Sequence, residues 1–174
     1  MSKNALVIGL ALFAGAAASA GGQSPTSAMP KDPCALLTAA EIQEVAGTLV
    51  KDGTAGKIPA LGAISCTYTW GPANYSATGQ FQLNVLITEA AKAFPGMSTA
   101  LIKQAMAARV KSGGVAGEVP GIGDAATFES DQPIRVNAKT LAKGLFLSVE
   151  LEGPNARLQK DQVIALLKTA AGRL

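Results

Sequence analysis

Histidine is absent from all 174 residues. That removes the usual general base near neutral pH, the commonest metal ligand and any Ser-His-Asp arrangement. Aromatic residues are few: one Trp, two Tyr and five Phe. Charge is sparse and nearly balanced, with 15 basic against 12 acidic residues. The basic residues are scattered rather than clustered, which excludes the electrostatic footprint of a nucleic-acid binder. The acidic residues form no Asp-x-Asp-x-Asp-Gly calcium loop, so neither a structural metal nor a cofactor is expected. No serine sits in a Gly-x-Ser-x-Gly or Ser-x-x-Lys motif. Long apolar runs are also missing. The most apolar stretch, Ala5 to Ala17, spans about 13 residues against the ~20 that a bilayer crossing requires.

That stretch has another use. Lys3 precedes it, and Ala18-Ser19-Ala20 follows with the small-x-small pattern of a cleavage site. Residues 1–20 therefore read as a secretory signal peptide cleaved near Ala20. The rest has ordinary single-domain length, and its net charge is one unit below the full chain's +3 once Lys3 is lost. The destination is periplasmic or secreted. Residues 21–33, rich in Gly, Ser and Pro, read as a flexible leader, and residues 34–174 as one domain with no transmembrane segment. The only cysteines, Cys34 and Cys66, both fall in the exported part. An oxidising compartment and an even count favour a single disulfide over two separately buried thiols. Its closure is worth roughly 3–4 kcal/mol on loop entropy.

Local patterns then predict the elements. Thr38 and Glu41 form a capping box, flanked by Leu37 and Ile42 as a hydrophobic staple, with Gly47 as a stop. A helix over 39–46 follows. Residues 48–64 are Gly-rich and carry no clear period. Cys66 to Trp70 alternates, with Cys66, Tyr68 and Trp70 on one face. Phe81 to Thr88 alternates more clearly, with Phe81, Leu83, Val85 and Ile87 together. Ser98 or Thr99 starts a second helix over about 100–110, whose apolar stripe is Leu101, Ala105, Ala108, Ile102 and Met106. Strands are expected at 125–129, 134–138 and 144–151, and a last helix at about 161–171. Runs of strands between helices indicate an α+β fold with antiparallel sheet and three helices, in the order helix-strands-helix-strands-helix. Each half ends in an apolar alternating strand, which hints at a weak internal duplication.

Three segments resemble a known family: Cys34-Ala-Leu-Leu-Thr-Ala-Ala-Glu-Ile, Cys66-Thr-Tyr-Thr-Trp and Val119-Pro-Gly-Ile-Gly-Asp-Ala-Ala. Together they resemble an uncharacterised family of exported bacterial domains, best known as actinobacterial lipoproteins. That family is similar to the extracellular sensor domains of bacterial Ser/Thr kinases. The resemblance spans Pro33 to about Leu174. It implies a sandwich-like α+β domain, a Cys34–Cys66 bridge from first helix to sheet, and a ligand cleft, but no chemistry. The chain departs from the lipoprotein pattern: Gly21 follows Ala20, and Cys34 follows Lys31-Asp32-Pro33, so no lipid anchor is expected.

Candidate ligand contacts are Tyr68, Trp70, Tyr75, Asp124 and Arg135. For Tyr68 and Trp70 a core position beside the disulfide competes with a stacking wall. Tyr75, in a Gly/Pro/Asn loop, is expected exposed. The Val119–Ala126 loop reads as a structural turn with Asp124 bonding local backbone N–H groups, not as a phosphate loop. Arg135 is a cross-strand partner for Glu129. The leading expectation is an exported, non-catalytic domain that binds a small ligand, an envelope component or a partner protein. The alternatives are a hydrolase using carboxylates (Glu129 with Glu150) or a Ser-Lys pair, and a structural or inhibitory envelope protein.

Overall fold

The computed structural model describes residues 28–71, 79–112 and 116–174. The expected signal peptide, most of the expected leader and Tyr75 lie outside them. The fold is α+β: one seven-stranded antiparallel sheet and four α-helices among the described residues. None of these helices is long and apolar enough to cross a membrane.

α1 (Ala39–Ala46) begins where the capping box places it. Thr38 Oγ1 accepts from the Glu41 N–H at 3.3 Å, and Glu41 Oε2 accepts from the Thr38 N–H at 2.8 Å. It ends at Gly47, whose φ of 67° lies in the left-handed region. β1 (Thr54–Ile58), β2 (Ala63–Trp70) and β3 (Phe81–Glu89) then form an antiparallel meander. α2 (Ala90–Ala93) and α3 (Thr99–Ser112) lead to β4 (Ala116–Glu118). A second meander follows, β5 (Ala125–Gln132), β6 (Arg135–Ala142) and β7 (Leu145–Glu152), before α4 (Lys160–Ala171) closes the chain.

The strand order is β1-β2-β3-β7-β6-β5-β4. The two strands that end each half, β3 and β7, pair antiparallel at the centre with Val85 opposite Val149. A half-turn about the sheet normal carries β3 to β7, β2 to β6 and β1 to β5, which is the arrangement an internal duplication would give. The short helix α2 makes a fourth where three were expected.

Alternation gives the sheet two unlike faces. One carries Cys66, Tyr68 and Trp70 from β2, Leu83, Val85 and Ile87 from β3, and Leu145, Leu147, Val149 and Leu151 from β7, all buried. Ile42 of α1 and Val163, Leu166 and Leu167 of α4 cover them. The Cys34–Cys66 disulfide, with Cα atoms 5.1 Å apart, ties the 3-10 turn Pro33–Ala35 to β2. The Tyr68 hydroxyl reaches the same segment, donating to the Leu37 carbonyl and, at 3.2 Å, to that of Cys34. The described end of the leader joins this layer: Met29 packs on the core, and Asp32 Oδ1 accepts from the Cys34 N–H.

The Val119–Ala126 segment is a turn closed by Val119 N–H to Ala126 O (2.9 Å) and Asp124 N–H to Leu141 O (2.7 Å). Gly123 has φ 57°, and a Cβ there would sit 2.6 Å from the Leu141 carbonyl oxygen. Only glycine satisfies both demands. The Asp124 carboxylate does not bond the local N–H groups. It accepts from the Lys143 N–H at 3.3 Å, across in the β6–β7 turn.

A candidate binding cleft under α3

The opposite sheet face is polar over most of its width. Register aligns Thr67, Asn84, Glu150, Asn137 and Glu129 in one row across β2, β3, β7, β6 and β5. The adjacent rows hold Ser65, Leu86, Ser148, Lys139 and Thr127, and Thr69, Gln82, Glu152, Arg135 and Gln132. Short hydrogen bonds lock the middle row. Thr67 Oγ1 donates to Asn84 Oδ1 at 2.8 Å, and Asn137 Nδ2 donates to Glu150 Oε2 at 2.9 Å.

Only one end of this face is apolar. There Ile102 and Met106 of α3 pack with Ala90 and Leu141, and Phe94 meets Phe146 edge-on at 5.1 Å. The stripe expected on α3 divides at this point. Ile102 and Met106 are buried, whereas Leu101 is 50% exposed. Ala105 and Ala108 are exposed too, because they face a cleft instead of the core. Alanine is apolar enough to be counted in a stripe yet too short to fill the space beneath a helix.

The cleft has a volume of about 490 Å³, within the ~300–1,000 Å³ of small-molecule sites. Phe94, Ile102, Met106 and Phe146 line one part of it, and Thr127, Glu129, Lys139 and Arg109 another. The charged part is an ion triad on a single oxygen. Arg109 Nε lies 2.6 Å and Lys139 Nζ 3.1 Å from Glu129 Oε1. The Lys139 and Glu129 side chains are only 19% and 18% exposed. A second cleft of about 440 Å³ lies along α3 between Lys103 and the Val119–Ala126 turn.

The residues singled out from sequence fall in different places. Tyr68 and Trp70 are in the sealed core, where Trp70 stacks on Phe81 at 5.5 Å. Burial, with nearby carboxylates, pushes the Tyr68 phenol up to about 12, in keeping with its role as a donor to carbonyls. Tyr75 lies outside the described residues. Asp124 lines the second cleft with Lys103 Nζ 3.9 Å away. Arg135 does not pair with Glu129. A bulge between Glu129 and Gln132 shifts the register, so Arg135 faces Gln132 and Glu152 while Glu129 faces Asn137.

Glu129 and Glu150 share the polar face with β6 between them, their backbones about 9–10 Å apart. Their carboxylates are engaged by Arg109 and Lys139, and by Asn137. Ser148 and Lys139 are direct cross-strand partners. The hydroxyl nonetheless donates to Asn137 Oδ1 at 2.9 Å, and the ammonium turns to Glu129. The described residues contain no cluster of three or more Cys, Asp or Glu placed to hold a metal. Comparison with family models, curated proteins and solved structures finds no match to this chain.

Proposed function

We propose that this is an exported binding domain, not an enzyme, and that its ligand is a small molecule held between α3 and the β5–β6–β7 surface. One observation carries the reading: the cleft joins an apolar wall to the partly buried Lys139–Glu129 pair, with the exposed Arg109 at its edge, the combination that small-molecule sites use for affinity and orientation. The engaged state of Glu129, Glu150, Ser148 and Lys139 supports binding over hydrolysis. Export rests on the signal peptide, with the mature chain starting at or near Gly21, and the disulfide suits an oxidising compartment. The motif resemblance to exported bacterial domains and kinase sensor domains points the same way.

The test is native mass spectrometry of protein isolated from its own envelope. The intact mass should start near Gly21 and carry a bound small molecule. Ala105→Trp fills the cleft from the exposed side of α3 and should remove that adduct while the protein stays folded. A mass retaining Met1, or an adduct that persists in the Ala105→Trp protein, would contradict the proposal.

A further inference from the structure

We infer that the two clefts flanking α3 are the two ends of one site, and that its ligand is a slender chain, apolar in the middle and carrying a hydrogen-bonding group at each end. This rests on the binding reading above and extends it to the class of molecule that the site takes.

α3 is lightly seated on the sheet. Of its residues whose burial is described, only Ile102 and Met106 are buried. They lie four apart, on one narrow line of the helix. Ala105 and Ala108 border that line on the side of Phe146 and Lys139. Lys103 and Ala107 border it on the side of the Val119–Ala126 turn. A cleft of about 490 Å³ opens on the first flank and one of about 440 Å³ on the second. Met106 and Thr127 line both. One comes from the helix and the other from β5, the strand it packs against, so the clefts adjoin beneath α3.

Met106 is the partition able to yield. At 8% exposure it is the least buried member of its cluster, and its unbranched side chain repacks readily. Ile102, 2% exposed and β-branched, is the fixed support.

Ends and middle ask for different chemistry. A helix with its side chains is about 10 Å across, so only a long, thin molecule reaches both clefts. Its middle lies against Met106 and Ile102, where a polar group would lose water and find few partners. At one end Lys139 Nζ stands 3.1 Å from Glu129 Oε1, and at the other Lys103 Nζ stands 3.9 Å from Asp124 Oδ1. Each end thus presents a donor and an acceptor together, and a hydroxyl or amide group answers both.

Two straight-chain diols with a hydroxyl at each end test this: decanediol, long enough to pass under α3, and pentanediol, which fits within one cleft. Each is titrated into the mature protein while NMR follows Ala105, Ala108 and Phe146 on one flank and Ala107, Gly121 and Gly123 on the other. Decanediol should shift both flanks along a single one-to-one curve and bind at least tenfold more tightly than pentanediol. Met106→Ala removes the partition and should strengthen decanediol at least threefold more than pentanediol, whereas Met106→Leu, which keeps it, should not. Decanediol shifts confined to the Phe146 flank, or two independent curves, would overturn the joined site and leave the binding reading standing. Equal affinity for the two diols, or no gain in Met106→Ala, would overturn it as well. If neither diol shifts either flank the inference falls, and the binding reading is then decided by the adduct in the Ala105→Trp protein.

Discussion

The two faces of one sheet have opposite designs. On β7, Leu145, Leu147, Val149 and Leu151 point into a core closed by α1, α4 and the disulfide-bound turn. Phe146, Ser148, Glu150 and Glu152 of the same strand point to a face that α2 and α3 cover at one end only. The first face is built from interlocking contacts, where each lost methylene leaves a cavity. The second relies on hydrogen-bonded polar rows that water can replace. The difference teaches where stability resides: the sealed face holds the molecule together, and the open face is free to hold the proposed ligand without endangering the fold.

The contrast breaks most sharply under paired substitutions on neighbouring β7 residues. Leu147→Ala, at a fully buried site, should cost about 2–5 kcal/mol in denaturant unfolding. Glu150→Gln, on the open face, should cost under about 0.5–1 kcal/mol, because the amide keeps an acceptor for Asn137. Similar losses from both would mean that the faces are not energetically distinct. The disulfide should rank beside the core. Replacing Cys34 and Cys66 by Ala should lower stability by about 2–5 kcal/mol, and thiol titration of the denatured, unreduced protein should find no free cysteine.

A smaller effect tests the seam between α1 and the end of the chain. Arg173 donates to Glu41, and at 2.8 Å to the Leu36 carbonyl. Hydrogen bonds from Arg173 and from the Thr38 backbone, with smaller help from the Thr38 hydroxyl and the Arg173 charge, outweigh partial burial and lower the Glu41 pKa from 4.5 to about 2. A depressed carboxyl pKa stabilises the fold above the unfolded value of 4.5, and that contribution is lost as pH falls towards 2. Thr38→Ala should cost about 1 kcal/mol at neutral pH through loss of the cap. Arg173→Gln should move the Glu41 titration, followed by carboxyl NMR, back up towards 4.5. An unmoved Glu41 titration would show that the clamp is absent in solution.

The sealed face was far more legible in the sequence than the open one. Thr38, Glu41 and Gly47 mark a helix within ten residues of each other, and both long alternating strands announce their buried side. β1 escaped notice because Thr54-Ala-Gly-Lys-Ile has no apolar alternation: it is an edge strand with little to bury. α2 is a single turn, and β4 has three residues. A ligand cleft was implied only by the motif resemblance, and its residues were not legible from local pattern. Arg109, Glu129 and Lys139 come from a helix and two strands, and no spacing relates them before the sheet register is known. One signal was available: Asn84, Asn137, Lys139, Ser148 and Glu150 all occupy the non-apolar positions of their strands. Taken together, they mark a sheet face that the fold leaves polar.

The central claim is that the ligand belongs to the α3 side of the sheet. A crystal structure of the protein purified from its own envelope, without added ligand, tests it directly. The account predicts difference density against Met106 and Phe146, ending beside Lys139. Density on the α1–α4 side near Trp70, or a cleft holding only water, would contradict it.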